Sequence, residues 1–466
     1  MRSILKYLDI KNIPNDKKRD FVSNVFLGTM LMLVFILLEN TSVRQNAINH
    51  WFDYYIKLRI NDDTDAKRIS NEIIFLDFDN KSLRDLGRPN MIPRNKIADL
   101  LNFAYQGRAE LVVIDMDFSD SDYTPERLLA GDKSPMTGLA RDNLLFNLLQ
   151  QIKDDSSSNT KVLLPITTYA DFMQKHNIFS ELIDNKKIFS VTPAFTISRL
   201  DNKVRFWMPY LETLEENGRQ HNVLWSIPLL SMVLISGNFD ELYNIKDDIL
   251  ESRAKSFALN VNHDKNKTKE KFIFYSENSN ENGLIRDSQH LQYNRIQYVI
   301  LPPRINKNDF SGNISPSHIG HWRKKGLDNK KINYENKIVI IGRADLDCSD
   351  FFETPIGKIP GMYIHGSSIA TILGKTRPRL TALYKYIIIE ILLIMAASLV
   401  FLYFSSLPAM CIIIIITGIC WAGIYWYFQL TNEFIYTSFA FAGIWIYRLI
   451  SRLRKFISSI LGRKQK

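Results

Sequence analysis

Four carboxylates stand at the ends of two short apolar runs. Ile73-Ile74-Phe75-Leu76 leads into Asp77 and Asp79; Leu111-Val112-Val113-Ile114 leads into Asp115 and Asp117. Several carboxylate oxygens gathered at one place suit a hard cation such as Ca²⁺ or Mg²⁺. A pair of carboxylates also suits general acid–base work. Both uses compete with ordinary structural ones: capping helix starts, accepting loop amides, and pairing with Arg84 or Arg94. No nucleophile with a neighbouring base accompanies these acids, so a catalytic reading lacks its other half. The expectation is no catalytic residue, no metal and no cofactor, with the acids as candidates for contacting a ligand.

The remaining chemistry-bearing residues are sparse. Gly342 ends the run Lys337-Ile338-Val339-Ile340-Ile341, where a glycine lets a phosphate approach a helix start. No G-x-G-x-x-G follows it, so a tight turn is the plainer reading. His365 follows Pro360-Gly361 and opens a helix. A histidine there is either a pH sensor or a hydrogen-bonded structural residue. His318 and His321 lie three apart beside Trp322, too few ligands for zinc without a third from elsewhere. Of the three cysteines, Cys348 lies in the long polar stretch, and Cys411 and Cys420 lie in an apolar run. A disulfide framework is excluded there.

The elements that must position these residues follow from patterning. Short apolar runs ending in polar residues are buried strands. On this reading strands form over Ile73 to Asp79, Leu111 to Phe118, Lys161 to Ile166 and Lys337 to Gly342. Lys187 to Val191 and Val204 to Met208 are expected to pair near one edge, with Phe272 to Tyr275 and Gln297 to Leu301 as further strands. An amphipathic helix over Lys96 to Tyr105, opened by Pro93-Arg94 and ended by Gly107, makes a βαβ unit with the first two strands. Helices are also expected over Val43 to Ile60, Ser226 to Ser236 and Gly361 to Leu373. The stretches 129–138, 153–159, 263–271 and 302–336 look like loops. In an open α/β sheet, ligands gather beyond the carboxyl ends of the strands, where the acids sit.

Long apolar runs flank this domain: 21–38 before it, and 386–404, 407–428 and 434–447 after it. All but the last come near the roughly 20 residues that cross a bilayer as a helix. The first run is longer than a signal-peptide core and lacks a small-x-small cleavage site, so it reads as an uncleaved anchor. The formal net charge is +10, and the two tails carry it. Residues 1–20 hold six basic and three acidic side chains, and 448–466 hold seven basic and no acidic ones. The middle is near neutral, which withdraws support from nucleic-acid binding. Basic flanks mark the cytoplasmic side, so both tails lie inside and the domain 44–383 lies outside. Glu390 sits near the start of its run, where a carboxylate reaches the interface or pairs with a partner helix. The expected fold class is α/β. An extracytoplasmic parallel or mixed sheet with flanking helices joins a four-helix transmembrane part, one N-terminal and three C-terminal.

Four segments then match a known pattern in order. The first is Ile74 to Leu86, with Asp77-x-Asp79-x-x-Ser82-Leu83, followed by Gly87 and Pro93-Arg94. The second is Val112 to Ser119. The third is Lys337 to Gly342, followed by Asp350 and Thr354-Pro355-Ile356-Gly357. The fourth is Pro360 to Gly366, leading into Ile369 to Leu373. From about 50 to 375 the chain resembles the second type of CHASE domain, an extracellular sensory module of bacterial adenylate cyclases, serine/threonine kinases and histidine kinases.

The resemblance implies a sensor of an extracytoplasmic stimulus whose ligand is unknown. On it, Asp77, Asp79, Arg94, Asp115, Asp117 and Asp350 are the candidate ligand contacts, and Gly361 and His365 the signal linker. The chain departs from the family at Arg88-Pro89-Asn90-Met91-Ile92-Pro93-Arg94, where a Trp-Pro-x-Pro-Arg is usual. Members commonly carry an output domain after the last helix, whereas here only the tail 448–466 follows. The expectation is therefore a non-enzymatic sensor subunit in a bacterial inner membrane, its domain in the periplasm, signalling to a separate effector. Its basic tail contacts acidic lipid or that partner. A homodimer suits this build without being shown by it. The alternative is a structural component of an envelope complex that binds protein with its outer domain.

Overall fold

The computed structural model describes residues 14–37, 41–59, 72–124, 136–168, 173–198, 201–214, 221–237, 256–262, 269–275, 313–314, 333–345, 350–374, 379–381, 383–404 and 406–435, with a few single residues besides. In chain order, α1 (Asn15–Leu37) and α2 (Ser42–Arg59) precede β1 (Ile73–Phe78), α3 (Asn80–Asp85), α4 (Arg94–Gln106) and β2 (Leu111–Asp115). Then come α5 (Gly138–Asp154), β3 (Lys161–Pro165), β4 (Ile188–Val191), β5 (Phe195–Ile197), β6 (Val204–Trp207), β7 (Tyr210–Leu214), β8 (His221–Trp225) and α6 (Ile227–Ser236). Next are β9 (Ser256–Asn262), β10 (Lys269–Tyr275), β11 (Asn313–Ile314), β12 (Ile338–Arg343), β13 (Phe351–Thr354), β14 (Gly357–Pro360) and α7 (Gly361–Leu373). The order closes with β15 (Arg379–Leu380), α8 (Leu383–Tyr403), α9 (Ser406–Thr431) and β16 (Glu433–Phe434). The chain divides into two compact units, residues 56–284 with 289–378, and the flanking segments 1–55 and 379–466 with 285–288.

The first unit is built on a six-stranded sheet in the order β11-β1-β12-β2-β3-β4, with every pairing parallel. Its strands are near-continuous apolar runs because both faces are covered. One face buries Ile74, Leu76, Phe78, Val112, Ile114, Val339 and Ile341 against α4 and α5, including Ile97, Leu101, Leu145 and Leu149. The other face, one residue out of phase, packs against α7, whose Gly366 lies on Phe75 and Ile340. α4 starts at Arg94 after Pro93, whose fixed φ suits a helix entry, and ends on Gly107.

The α/β sheet and the helices flanking it agree with the sequence reading. Three particulars differ. β1 and β2 are not neighbours: β12 lies between them, so the βαβ unit spans a gap filled by a distant strand. β4 and β6 do not pair. β4 joins β3 in the main sheet, and β6 pairs antiparallel with β5 in a local hairpin that the Ser198 and Asn202 amides help to close. The helix α5 was not expected; it begins at Gly138 after an N-cap on Thr137. Of the expected strand Gln297 to Leu301, only Tyr298 is described, and it is not in a strand. His318, His321, Trp322 and Cys348 lie outside the described residues.

The second unit holds three helices long and apolar enough to cross a membrane: 17–37, 384–403 and 408–431. The expected span 434–447 starts on Phe434, which instead bridges to Leu380, and from 436 it lies outside the described residues. α1 packs on α8 through Met32 and Ile394, and α8 on α9 through Ala397 and Ile413. Aromatic rings seat α2 on the end of α9: Trp51 meets Trp421 at 4.2 Å between ring centroids, and Phe52 meets Phe434 at 4.8 Å. Glu390 is fully buried.

Candidate functional site

The sheet register brings three strand ends level. Asp77 of β1 pairs with Gly342 of β12, and Gly342 pairs with Asp115 of β2. Register partners in a sheet point to the same face. Two carboxylates therefore flank a position with no side chain, on the face that α7 covers.

The first turns of α7 fill this profile. Met362 lies over Gly342, where an added Cβ would come within 2.9 Å of the methionine Cβ. On one side the Tyr363 hydroxyl donates to Asp77 Oδ2 at 2.9 Å. On the other, His365 Nε2 stands 3.7 Å from Asp115 Oδ1. Gly361 opens the helix directly against the Asp350 carboxylate, which a Cβ would overlap. Its amide also donates to the Asp350 carbonyl at 2.9 Å. α7 is thus seated astride β12, with one acid on each side and a third at its N-terminus.

Burial sets the electrostatics of this seat. His365 is 1 % exposed, its ring stacks 4.3 Å from Phe195, and its Nδ1 has no hydrogen-bond partner among the described residues. Desolvation pushes its pKa down to about 3, so the imidazole is neutral at ordinary pH. This burial beside Asp115 suits a structural residue better than a pH sensor. Desolvation pushes the Asp350 carboxyl up to about 6, although the Gly361 amide acts against the rise. Asp115 is raised well above the ordinary range by desolvation and by the nearby Asp350 charge.

The other expected site residues lie elsewhere. Asp79 caps α3, accepting from the Ser82 amide at 2.8 Å and its hydroxyl at 2.6 Å. Asp117 accepts from the Ser119 amide at 2.9 Å and from Thr167 at 3.1 Å. Arg94 is buried in a second network on the α4–α5 side. Its Nη2 donates to the carbonyls of Asp117 at 2.9 Å and Asp120 at 3.2 Å, and its guanidinium lies 4.6 Å from the Phe118 ring centroid. Arg141 grips Asp122 bidentately, at 2.7 and 3.1 Å. Asp122 in turn accepts the Arg94 amide at 2.9 Å. Burial raises the Asp122 carboxyl, but Arg141 and the amides of Arg94 and Thr124 outweigh it and leave the pKa lowered. This network fixes the loop after β2.

Sequence reasoning missed Tyr363, Phe195, Arg141, Asp122 and Asp142. Tyr363 and Asp142 carry a period signal, being on helix faces in phase with apolar neighbours. Phe195 carries none, because only the tertiary fold brings β5 to α7. Among the described residues no group of three His, Cys, Asp or Glu side chains is placed to hold a metal ion. What remains is a buried, titratable seat beneath a helix.

The comparisons with known proteins address identity. No curated protein and no solved structure matches the chain. The family model for the CHASE2 domain matches residues 29–403. That span takes in the whole sheet, α7 and the candidate membrane helix 384–403, and begins inside the first one, 17–37. The chain therefore belongs to the CHASE2 family of extracellular sensory domains.

Proposed function

We propose that this protein is a membrane-anchored sensor subunit that detects an extracytoplasmic stimulus and passes it through its membrane helices to a separate effector protein. The observation that carries this reading is the seating of α7. One helix is held by Asp77, Asp115 and Asp350 at the sheet's carboxyl edge, and the chain leaves its far end for α8, a candidate membrane span. A stimulus that alters the seat alters the helix that precedes α8 in the chain. It biases the helix only by its difference in affinity for the seated and unseated states. The basic tails support an orientation with both inside the cytoplasm and the sensory unit outside, in the periplasm of a bacterial inner membrane. Strand-end acids, rather than a nucleophile and base, support a binding role over a catalytic one.

The test is purification from native membranes in mild detergent, with mass spectrometry of what accompanies the chain. The expected result is a stoichiometric partner bearing a cyclase, kinase or regulator domain. Recovery with envelope structural proteins alone would replace the sensor with a scaffold.

A further inference from the structure

The helix α2 has two apolar faces. Its inward face seats on the last three turns of α9, a helix long and apolar enough to cross a membrane. Phe52 meets Phe428 at 5.7 Å between ring centroids, Tyr55 meets Tyr425 at 5.8 Å, and Trp51 meets Trp421 edge-on. The outward face carries a second stripe, Ala47, Trp51, Tyr54 and Leu58, at the i, i+4, i+7, i+11 spacing of one helix side. Ala47 and Trp51 are half-buried, whereas Tyr54 is 47 % exposed and Leu58 39 %. His50 and Lys57, both exposed, run along one flank of that stripe. Asp53, the one acid in α2, is buried. The outward face is therefore aromatic and apolar, with a cation at its flank and no anion.

Connectivity sets the level of this face. α1 holds another candidate span, which ends at Leu37, and α2 begins at Ser42. The four residues between them reach at most roughly 18 Å. α2 thus starts within that distance of the membrane face where α1 emerges, and its inward rings hold it to the end of α9. Tyrosine and tryptophan favour that level, where the ring is apolar and its polar tip meets water.

We infer that α2 is an interfacial helix whose outward face binds the bilayer surface: the stripe Ala47, Trp51, Tyr54 and Leu58 beds between headgroups and acyl chains, and Lys57 with His50 contacts the phosphate of an acidic phospholipid. This goes beyond the sensor reading and rests only on the candidate membrane spans, not on an effector. Interfacial helices bury their apolar side about 5–10 Å into that boundary. A lysine near an acidic bilayer surface enriches acidic lipid beside it by up to about fivefold. A second copy of the chain suits the stripe less well. Four side chains, two of them half-buried, fall short of the roughly 800 Å² that each partner of a stable complex buries.

Photocrosslinking in the full chain tests this. Benzoylphenylalanine is placed at Tyr54 or, in a second variant, at Leu58. Each chain is reconstituted in nanodiscs of phosphatidylcholine with a minority of phosphatidylglycerol, and mass spectrometry identifies what the label captures. The expected product at both positions is an adduct with one phospholipid. Phosphatidylglycerol should exceed its share of the bilayer among those adducts by up to about fivefold. Adding Lys57→Gln should return the ratio to the bulk share while the lipid adducts persist. Should one labelled variant fail to fold, the other decides. Capture of a second copy of the chain, or no lipid adduct, overturns the lipid-binding surface. A ratio equal to the bulk share with Lys57 in place overturns the recognition of acidic phospholipid.

Discussion

The Tyr363 hydroxyl donates to Asp77 Oδ2 across 2.9 Å, tying α7 to the first strand of the sheet over 286 positions of chain. A single bond of this kind contributes about 0.5–1.5 kcal/mol net. Tyr363→Phe keeps the ring against Phe75, whose centroid is 5.0 Å away, and removes only the donor. Its melting midpoint should drop by roughly 2 °C. Asp77→Asn, which retains an acceptor, should lose less. An unchanged midpoint in Tyr363→Phe would show that the bond does not hold α7.

Glycine spacing on α7 makes a steric prediction. A Cβ at Gly366 would overlap the Phe75 ring and meet Ile340 Cδ1 at 3.4 Å. Both neighbours are buried strand residues without room to retreat. Gly366→Ala should therefore destabilise the sensory unit by about 1–3 kcal/mol through overpacking. Adding Phe75→Leu should return part of that loss, since the overlap is with the ring. A denaturant titration of the single and double variants measures the coupling. Simple additivity would rule out the contact as the cause.

The Arg141–Asp122 pair is fully buried on both sides. Removing one partner leaves an uncompensated charge, which costs about 3–5 kcal/mol. Arg141→Met should therefore be much worse than the double variant Arg141→Met with Asp122→Asn, in which no buried charge is stranded. Equal stability of the single and double variants would contradict a charge-based account of this network.

The pH profile follows from the signs of two shifts. Asp350 is raised to about 6, so its stabilisation is complete below its ordinary 3.8 and is lost as the pH climbs through 6. His365 is lowered to about 3, so its neutral burial stabilises fully above 6.5 and less as the pH falls toward 3. Between 3.8 and 6 these trends oppose each other. Thermal melts in this window should slope more steeply downward with pH in His365→Gln than in wild type. They should slope upward, or less steeply downward, in Asp350→Asn. Parallel profiles in all three proteins would dispose of both shifts.

Much of this was legible before the structure, and the rest for physical reasons was not. The apolar runs gave away β1, β2, β3 and β12, because a strand buried on both faces has little choice of residue type. The helix over Gly361 to Leu373 was readable from its Pro-Gly entry and small-residue face. That β12 would lie between β1 and β2 was not readable, since strand order depends on contacts more than two hundred residues apart. The same limit governed the acids. Asp77 and Asp79 share a run and a face by period two, yet the strand ends at Phe78, leaving one beneath α7 and the other capping α3. Arg94 looked like a partner for strand-end acids and is instead held by backbone carbonyls on the opposite side of the sheet.

The central claim is that the state of α7 sets the output of a separate effector. Wild type and Gly366→Ala should be purified in parallel with whatever protein accompanies them, and that protein's activity measured with each. The account predicts one stoichiometric partner whose activity is shifted in Gly366→Ala and no longer follows the wild-type stimulus. A chain that comes alone, or a partner whose activity is the same with both, would contradict it.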